Sequence, residues 1–364
     1  MARILYGIQS DGMGHALRSK PVIDHLINKG HNVKIISADR ALTFLRKHYD
    51  DVEEISRLNF FYYNNRVSYF ITILQAICRL DKIIGKGIIK VKQIITRFKP
   101  DLIITDFEAY CSLAAKLSGI PLISIDNITV IKLCNVPYSL KNFSYYIAAK
   151  LFIDSIIHSC QYYFVTTFFK LPLKYKRHNG RVIFVPPVLR DAIIKAKDKY
   201  PEKNHILVYQ TTNTNKRLVP ALNACKDEKF IFYGCDENKV KSNVKFKKFS
   251  EKYFIRDLAS AKAVITNGGF TLMSETIYLH KPVLSNPIVG QYEQNLNATL
   301  LEKLGYGKKI SEIDPDKIRS FLCSLKEYKK NLRKFKQEGN TVLFKSIDQK
   351  ITAILNKNKF KSVK

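Results

Sequence analysis

Short apolar runs alternate with stretches in which apolar residues recur every three or four positions. Ile4-Leu5-Tyr6-Gly7-Ile8 is a nearly unbroken apolar run. A run of that length bounded by turn residues predicts a buried strand, here Arg3–Ile8. Gln9–His15 is polar and glycine-rich and predicts a turn. Over Ala16–Lys29 the apolar positions fall at helical spacing, which predicts a helix. The alternation continues with strands at Val33–Ser37 and Asp101–Thr105, a helix at Ala109–Ser118, and strands at Pro121–Ile125 and Tyr163–Thr167. Strands alternating with helices imply parallel strands joined by right-handed crossovers, hence a doubly wound α/β domain.

The pattern breaks at Pro186-Pro187 and through the charged stretch Lys195–Asn204, which holds Pro201 and no periodic apolar face. It then restarts. Strands are predicted at His205–Gln210, Lys229–Tyr233, Ala263–Thr266 and Pro282–Asn286, with a short helix at Asp257–Ser260 and another at Thr271–Tyr278. Val342–Leu355 predicts a helix that packs back across the domains, followed by an unstructured basic tail after Asn356. The expected organisation is a first domain over 1–190, a linker over 191–204, a second domain over 205–340, and a C-terminal helix and tail over 341–364. A chain of 364 residues has the length of two domains. Ligands of open α/β sheets bind outside the carboxyl ends of the strands. Two such domains in tandem therefore predict a site in a cleft between them.

Charge changes the picture next. Lys and Arg number 61 against 31 Asp and Glu, a formal net charge of +30. Such a chain favours polyanions: nucleic acid, an anionic membrane face or phosphorylated ligands. No recognised nucleic-acid module is present, so a polyanion-binding protein without enzymatic activity is the weaker alternative. The charge is concentrated. Residues 79–99 hold Arg79, Lys82, Lys86, Lys90, Lys92, Arg97 and Lys99 against Asp81 alone, interleaved with apolar residues at helical spacing. Residues 59–73 and 141–176 add aromatics and further lysines. Basic amphipathic stretches of this kind suit an anionic membrane surface, or simply pack one face on a sheet and solvate the other. No window reaches 18 uninterrupted apolar residues; the nearest, Phe143 to Phe169, is broken by Lys150, Asp154 and His158. The N-terminal Met-Ala-Arg-Ile-Leu-Tyr-Gly lacks the apolar stretch of a signal peptide. The seven cysteines are scattered, with no CxxC pair, which argues against a zinc site or a disulfide framework and for a reducing, cytoplasmic setting.

Two segments carry candidate chemistry. The first is Asn267-Gly268-Gly269-Phe270-Thr271-Leu272-Met273-Ser274-Glu275. A predicted strand ends at Thr266, glycines let the backbone approach a ligand, and the following helix start offers N–H groups and a partial positive charge to a pyrophosphate. Glu275, one turn further, can accept two hydrogen bonds from a ribose diol. The polar cluster Gln291–Ala298 follows the next strand, and its Glu293 and Gln294 offer acceptors and donors to sugar hydroxyls. The second segment is Gly7-Ile8-Gln9-Ser10-Asp11-Gly12-Met13-Gly14-His15. It lacks the full G-x-G-x-x-G of a dinucleotide loop and has His15 in its place. Asp106 closes the Asp101–Thr105 strand and is placed to orient His15, with Asp11 and Glu108 as rivals. Asp11 is itself an alternative base. Asp314-Pro315-Asp316 has the letters of a metal-binding DxD motif but reads as a helix start.

Together these segments resemble the donor-binding signature and N-terminal glycine loop of GT-B glycosyltransferases. The similarity is greatest to the branch holding the peptidoglycan lipid-intermediate GlcNAc transferase and the UDP-glycosyltransferases. Ala16-Leu17-Arg18-Ser19 resembles a close subgroup. The resemblance implies two Rossmann-like doubly wound α/β domains facing each other across a cleft. It implies that Gly268, Gly269, Phe270 and Thr271 hold the donor phosphates, that Glu275 binds ribose, and that Glu293 and Gln294 bind the donor sugar. Gly12 and Gly14 belong to the acceptor-side loop, His15 is the general base and Asp106 its partner. The donor would be a nucleotide-sugar, UDP-linked by this resemblance, acting as a substrate with no further cofactor and no metal. The acceptor would be a glycan or a lipid-linked acceptor at an anionic membrane face. Many retaining relatives carry Glu-x7-Glu; eight residues before Glu275 stands Asn267, so inversion is expected. Relatives often carry His or Arg where this chain has Asn267. Where the GlcNAc transferase has a Gly-Ser-rich loop, this chain has Tyr209-Gln210-Thr211-Thr212-Asn213. A nucleotide-sugar 2-epimerase of the same fold is the nearest enzymatic alternative.

Overall fold

The computed structural model describes residues 1–10, 12–56, 62–63, 66–67, 85–210, 216–235 and 237–362. The chain divides into two units. The first takes Met1–Tyr63, Val67–Val188 and Asn340–Lys364; the second takes Leu189–Gly339.

The first unit is built on a seven-stranded sheet. Its strands are β1 (Arg3–Ile8), β2 (Asn32–Ser37), β3 (Val52–Glu54), β4 (Leu102–Asp106), β5 (Leu122–Asp126), β6 (Tyr162–Thr166) and β7 (Val182–Val185). Their order is β3-β2-β1-β4-β5-β6-β7, and every neighbouring pair is parallel. The chain reverses its direction of winding between β1 and β4, so those two strand ends flank the switch point at which open α/β sheets bind ligands. The central strands are buried along nearly their whole length, as parallel strands covered on both faces must be. Helices α1 (Met13–Asn28), α2 (Asp39–Arg46), α3 (Gly85–Phe98), α4 (Ala109–Ser118) and α5 (Phe143–Ile156) connect them.

In α3 the buried residues are Gly87, Val91 and Ile94, while Lys86, Lys90, Lys92 and Arg97 are exposed. This helix therefore packs one face and solvates the other. Arg79, Lys82 and most of residues 59–73 lie outside the described residues.

The second unit repeats the plan with β8 (Ile206–Tyr209), β9 (Phe230–Tyr233), β10 (Lys239–Lys241), β11 (Val244–Lys247), β12 (Ala263–Thr266), β13 (Val283–Ser285) and β14 (Gly307–Lys309). Their order is β10-β11-β9-β8-β12-β13-β14, parallel except for β10 against β11. Here the switch point falls between β8 and β12.

Three sequence expectations meet a different structure. The stretch 191–204, expected as a linker, opens with helix α6 (Asp191–Ala196), whose Ile193 and Ala196 join Leu189 in a core cluster of the second unit. The short helix expected at Asp257–Ser260 is α7 (Glu251–Ser260), because its first turn, Glu251-Lys252-Tyr253, is too polar to register as periodic. The C-terminal helix α8 (Thr341–Ser362) continues past Asn356, where an unstructured tail is expected. Its Leu343, Ile347, Ile351 and Ile354 lie within the hydrophobic core of the first unit at 1% exposure or less. Each such burial contributes about 1.5–3 kcal/mol, which ties the end of the chain to its beginning. Asp314 caps the helix beginning at Pro315, its side chain accepting from Lys317 N at 2.9 Å, as read from sequence. The six described cysteines are free; Cys78 lies outside the described residues.

Candidate active site

In the first unit the site forms where β1 gives way to α1. Gly12 sits at the helix N-cap with φ 82° and ψ 162°, a conformation open chiefly to glycine. Helical spacing then places His15, Arg18 and Ser19 on one face, three and four residues apart. That face meets Asp106 at the end of β4. Nδ1 of His15 lies 2.8 Å from Asp106 Oδ1, and the histidine is 13% exposed against 1% for the aspartate. Arg18 Nε donates to Asp106 Oδ2 at 2.7 Å, and its Nη2 donates to Oδ1. Ser19 Oγ donates to Oδ2 at 3.0 Å. Arg18 Nη1 donates to Asn127 Oδ1, just past β5, at 2.6 Å. Burial opposes ionisation of Asp106, but the charges and hydrogen bonds of Arg18 and His15 outweigh it and hold the carboxyl well below the usual carboxylate range. A carboxylate only accepts hydrogen bonds. It therefore favours the imidazole tautomer protonated at Nδ1, which leaves Nε2 as a proton acceptor.

Of the two rivals for Asp106, only Glu108 is among the described residues. Glu108 caps α4, its carboxylate accepting from Tyr110 N at 3.0 Å and Cys111 N at 2.6 Å. Asp11 lies outside the described residues. Gly14 occupies the first turn of α1. Sequence reasoning missed Arg18, Ser19 and Asn127 as members of the cluster. The spacing i+3 and i+4 from His15 places Arg18 and Ser19 on its face without marking that face as buried, and Asn127, past another strand, carries no local signal.

In the second unit the turn after β12 leads into α9 (Phe270–Tyr278). Gly268 has φ 101°, and a Cβ there would stand 2.9 Å from Ser285 Oγ and 3.1 Å from the Gln294 carbonyl oxygen. Asn297 Nδ2 donates to the Gly268 carbonyl at 3.2 Å, fixing the turn to α10 (Tyr292–Lys303). Gly269 is exposed, with φ in the ordinary range and open space where a Cβ would point. Gly269 is the N-cap of α9, whose first turn holds Phe270 and Thr271. The dipole's positive end lies at that turn. Glu293 and Gln294 occupy the first turn of α10, and Gln294 Oε1 accepts from Ile288 N at 3.0 Å. Gly268, Gln294 and Asn297 are thus brought together around one turn.

Glu275 is 1% exposed and held by Arg190, whose Nε and Nη2 donate to its two oxygens at 2.6 and 2.7 Å. Arg190 Nη1 also donates to Glu251 Oε1 at 2.8 Å. Arg190 was missed because it lies at the domain boundary in the sequence, with no motif around it. Thr211, Thr212 and Asn213 lie outside the described residues.

Two doubly wound α/β units in one chain define a GT-B type fold, and solved glycosyltransferase structures similar to the chain share it. The calicheamicin glycosyltransferase CalG4 aligns with TM-score 0.67 and 14% identity over 98% of each chain. The glycosyltransferase VinC, solved in complex with dTDP, aligns with TM-score 0.67 and 14% identity over 97% of this chain and 100% of its own. An uncharacterized glycosyltransferase of Methanosarcina acetivorans is 22% identical over 342 residues, 87% of each chain. Residues 2–326 match glycosyl transferase family 1, and the chain belongs to that family.

Proposed function

We propose that this glycosyltransferase moves a sugar from a nucleotide-sugar, a UDP-hexose or UDP-GlcNAc, to an acceptor hydroxyl with inversion and without a metal ion. The observation that carries this reading is the 2.8 Å contact between His15 and Asp106 at the β1–β4 switch point. His15 Nε2 takes the proton from the acceptor hydroxyl as its oxygen bonds to the anomeric carbon. The bond from that carbon to the diphosphate oxygen breaks, and the nucleoside diphosphate leaves with the electron pair. The N-terminus of α9 stabilises that leaving charge, with Gly268, Gly269, Phe270 and Thr271 around the phosphates. Glu293 and Gln294 contact the donor sugar. Glu275 accepts from the ribose diol, since each of its oxygens receives one bond from Arg190 and retains a second lone pair. The dTDP complex of VinC supports a nucleoside diphosphate ligand, and Asn267 in place of the first glutamate of Glu-x7-Glu supports inversion.

Calorimetric titration with UDP-, GDP-, TDP- and CMP-sugars tests the donor, and His15→Ala tests the base. The variant is expected to bind donor as the parent does and to lose about 10²–10⁴-fold in transfer rate. Full transfer by His15→Ala overturns the base assignment. Turnover of the donor to a 2-epimer without acceptor overturns transfer in favour of epimerisation.

The acceptor is lipid-linked in this proposal. Among the described residues no helix is long and apolar enough to cross a membrane. The surface of α5 instead suits the plane of one. Phe143, Ile147 and Leu151 repeat every four residues along it and are exposed, and Leu140 just before it is 95% exposed. Tyr138 stacks on Tyr146 at 4.9 Å beside them, the aromatic character of a membrane–water boundary. From Lys132 to Arg181 the sequence carries eight Lys and Arg against Asp154 alone, a complement to anionic lipid. Sedimentation with phosphatidylglycerol vesicles is expected to carry the protein down, and phosphatidylcholine vesicles or the variant Leu140→Glu/Phe143→Glu to leave it in solution. Equal binding of parent and variant to the anionic vesicles overturns this surface.

A further inference from the structure

We infer that Arg18 is a positioning residue for His15: it locks the Asp106 carboxylate so that the imidazole keeps its proton on Nδ1 and Nε2 is left to receive the acceptor's proton. This rests on the proposed role of His15 as the base.

The guanidinium is constrained at all three nitrogens. Nε and Nη2 grip the two oxygens of Asp106 in a side-on fork, and Nη1 reaches Asn127 at 2.6 Å. These partners stand at the ends of β4 and just past β5, 88 and 109 residues from Arg18. Such a fork fixes the plane of a carboxylate, which a lysine's single ammonium does not. With Ser19 and His15 added, each oxygen of Asp106 accepts two hydrogen bonds. The carboxylate is saturated and has no freedom to rotate away from the imidazole.

Arg18 also stands 2.9 Å from Nδ1 through its Nη2. Two arrangements compete for that nitrogen. In one, Nδ1–H and Nη2–H both point at Oδ1, and Nε2 is a base. In the other, Nη2–H donates to Nδ1, the ring proton sits on Nε2, and the ring cannot take a proton there. The 2.8 Å contact to a saturated carboxylate favours the first, because the second turns the Nδ1 lone pair toward Oδ1. The arginine that offers the unproductive bond is thus the same one that holds the carboxylate preventing it.

The full chain labelled with ¹⁵N-histidine tests this, the His15 signals being assigned by their loss in His15→Ala. The parent is expected to show a protonated Nδ1 and an unprotonated Nε2. Arg18→Met is expected to shift both nitrogens toward a mixture of tautomers. It is also expected to lower kcat about 10–100-fold, a usual size for losing a group that orients a reactive side chain, with donor KM unchanged. Added to Asp106→Asn, the same substitution is expected to cost nothing further, because its effect runs through the carboxylate. The pair variant removes both buried charges together and keeps the comparison available if Arg18→Met alone folds poorly; Arg18→Lys is expected to fall between parent and Arg18→Met. A parent with its proton on Nε2 overturns the inference. So does an Arg18→Met penalty of the same size in both backgrounds, which marks a structural role only. If His15→Ala retains transfer, the base reading is lost, while the tautomer measurement still decides whether Arg18 and Asp106 set the ring.

Discussion

In the first unit a carboxylate is the shared group: Arg18, Ser19 and His15 all approach Asp106. In the second an arginine is shared: Glu275 and Glu251 both accept from Arg190. The two arginine–carboxylate forks are alike in geometry and burial, but their third members differ. Arg18 and Asp106 cancel, so their pair is neutral, and a proton taken up by the imidazole adds one positive charge. Glu275, Glu251 and Arg190 sum to one negative charge, part of it at the solvent because Glu251 is 48% exposed. A neutral, saturated cluster lets a proton arrive and leave without rearrangement. An anionic cluster with spare lone pairs attracts hydroxyl donors. The same fork is thus neutral in one unit and anionic in the other, and the roles proposed for His15 and Glu275 rest on that contrast.

The largest effects are expected from breaking each fork. Removing one partner of a buried ion pair strands the other, at about 3–5 kcal/mol. Glu275→Gln and Asp106→Asn should both lose stability on that scale in urea denaturation. Their functions should separate. Glu275→Gln is expected to weaken donor binding about 10–100-fold, the worth of hydrogen bonds to a charged group, while the folded fraction that binds donor still transfers. Asp106→Asn is expected to bind donor normally and to lose turnover. If Glu275→Gln is destabilised but binds UDP-sugar as tightly as the parent, the Arg190–Glu275 fork is structural and the contrast between the units collapses.

How much of this the sequence discloses depends on the residue. The buried strands β1, β4 and β12 are legible because their apolar runs are nearly continuous. The edge strands β3, β10 and β14 read Val-Glu-Glu, Lys-Val-Lys and Gly-Lys-Lys, and edge positions that face water leave no apolar pattern to find. Asp106 is legible because it closes a predicted strand, and His15 because it ends the glycine-rich turn that follows one. Arg18 is not, because an arginine three residues along an amphipathic helix has the signature of a solvated charge. Only the sheet order, which sets β4 beside β1 and β5 beside β4, turns it inward. Arg190 is hidden for a similar reason: its partners lie 85 and 61 residues away, and nothing local marks it as buried. The glycines of the 267–269 turn look equivalent in sequence. The structure separates Gly268, where a side chain would meet Ser285 and Gln294, from Gly269, where it would meet open space.

A smaller effect sharpens the account of the first cluster. Because Asp106 is held below its ordinary range, its ionised form is favoured by folding. The stability this contributes is fully present above the unfolded carboxyl value, about pH 3.9, and is lost as pH falls from there toward the folded value. Asp126 has the opposite sign: burial lifts its carboxyl, although Ser124 and the Thr129 N–H offset part of the rise. Its protonation favours the folded state as the solution is acidified. Urea midpoints of the parent and Asp106→Asn, measured from pH 7 to pH 3, should therefore differ by a constant amount down to about pH 4 and converge below it. A gap that stays constant to pH 3 would mean that the penalty in Asp106→Asn comes from lost packing around Arg18. The carboxylate would then not be the charge that the arginine holds ready for His15.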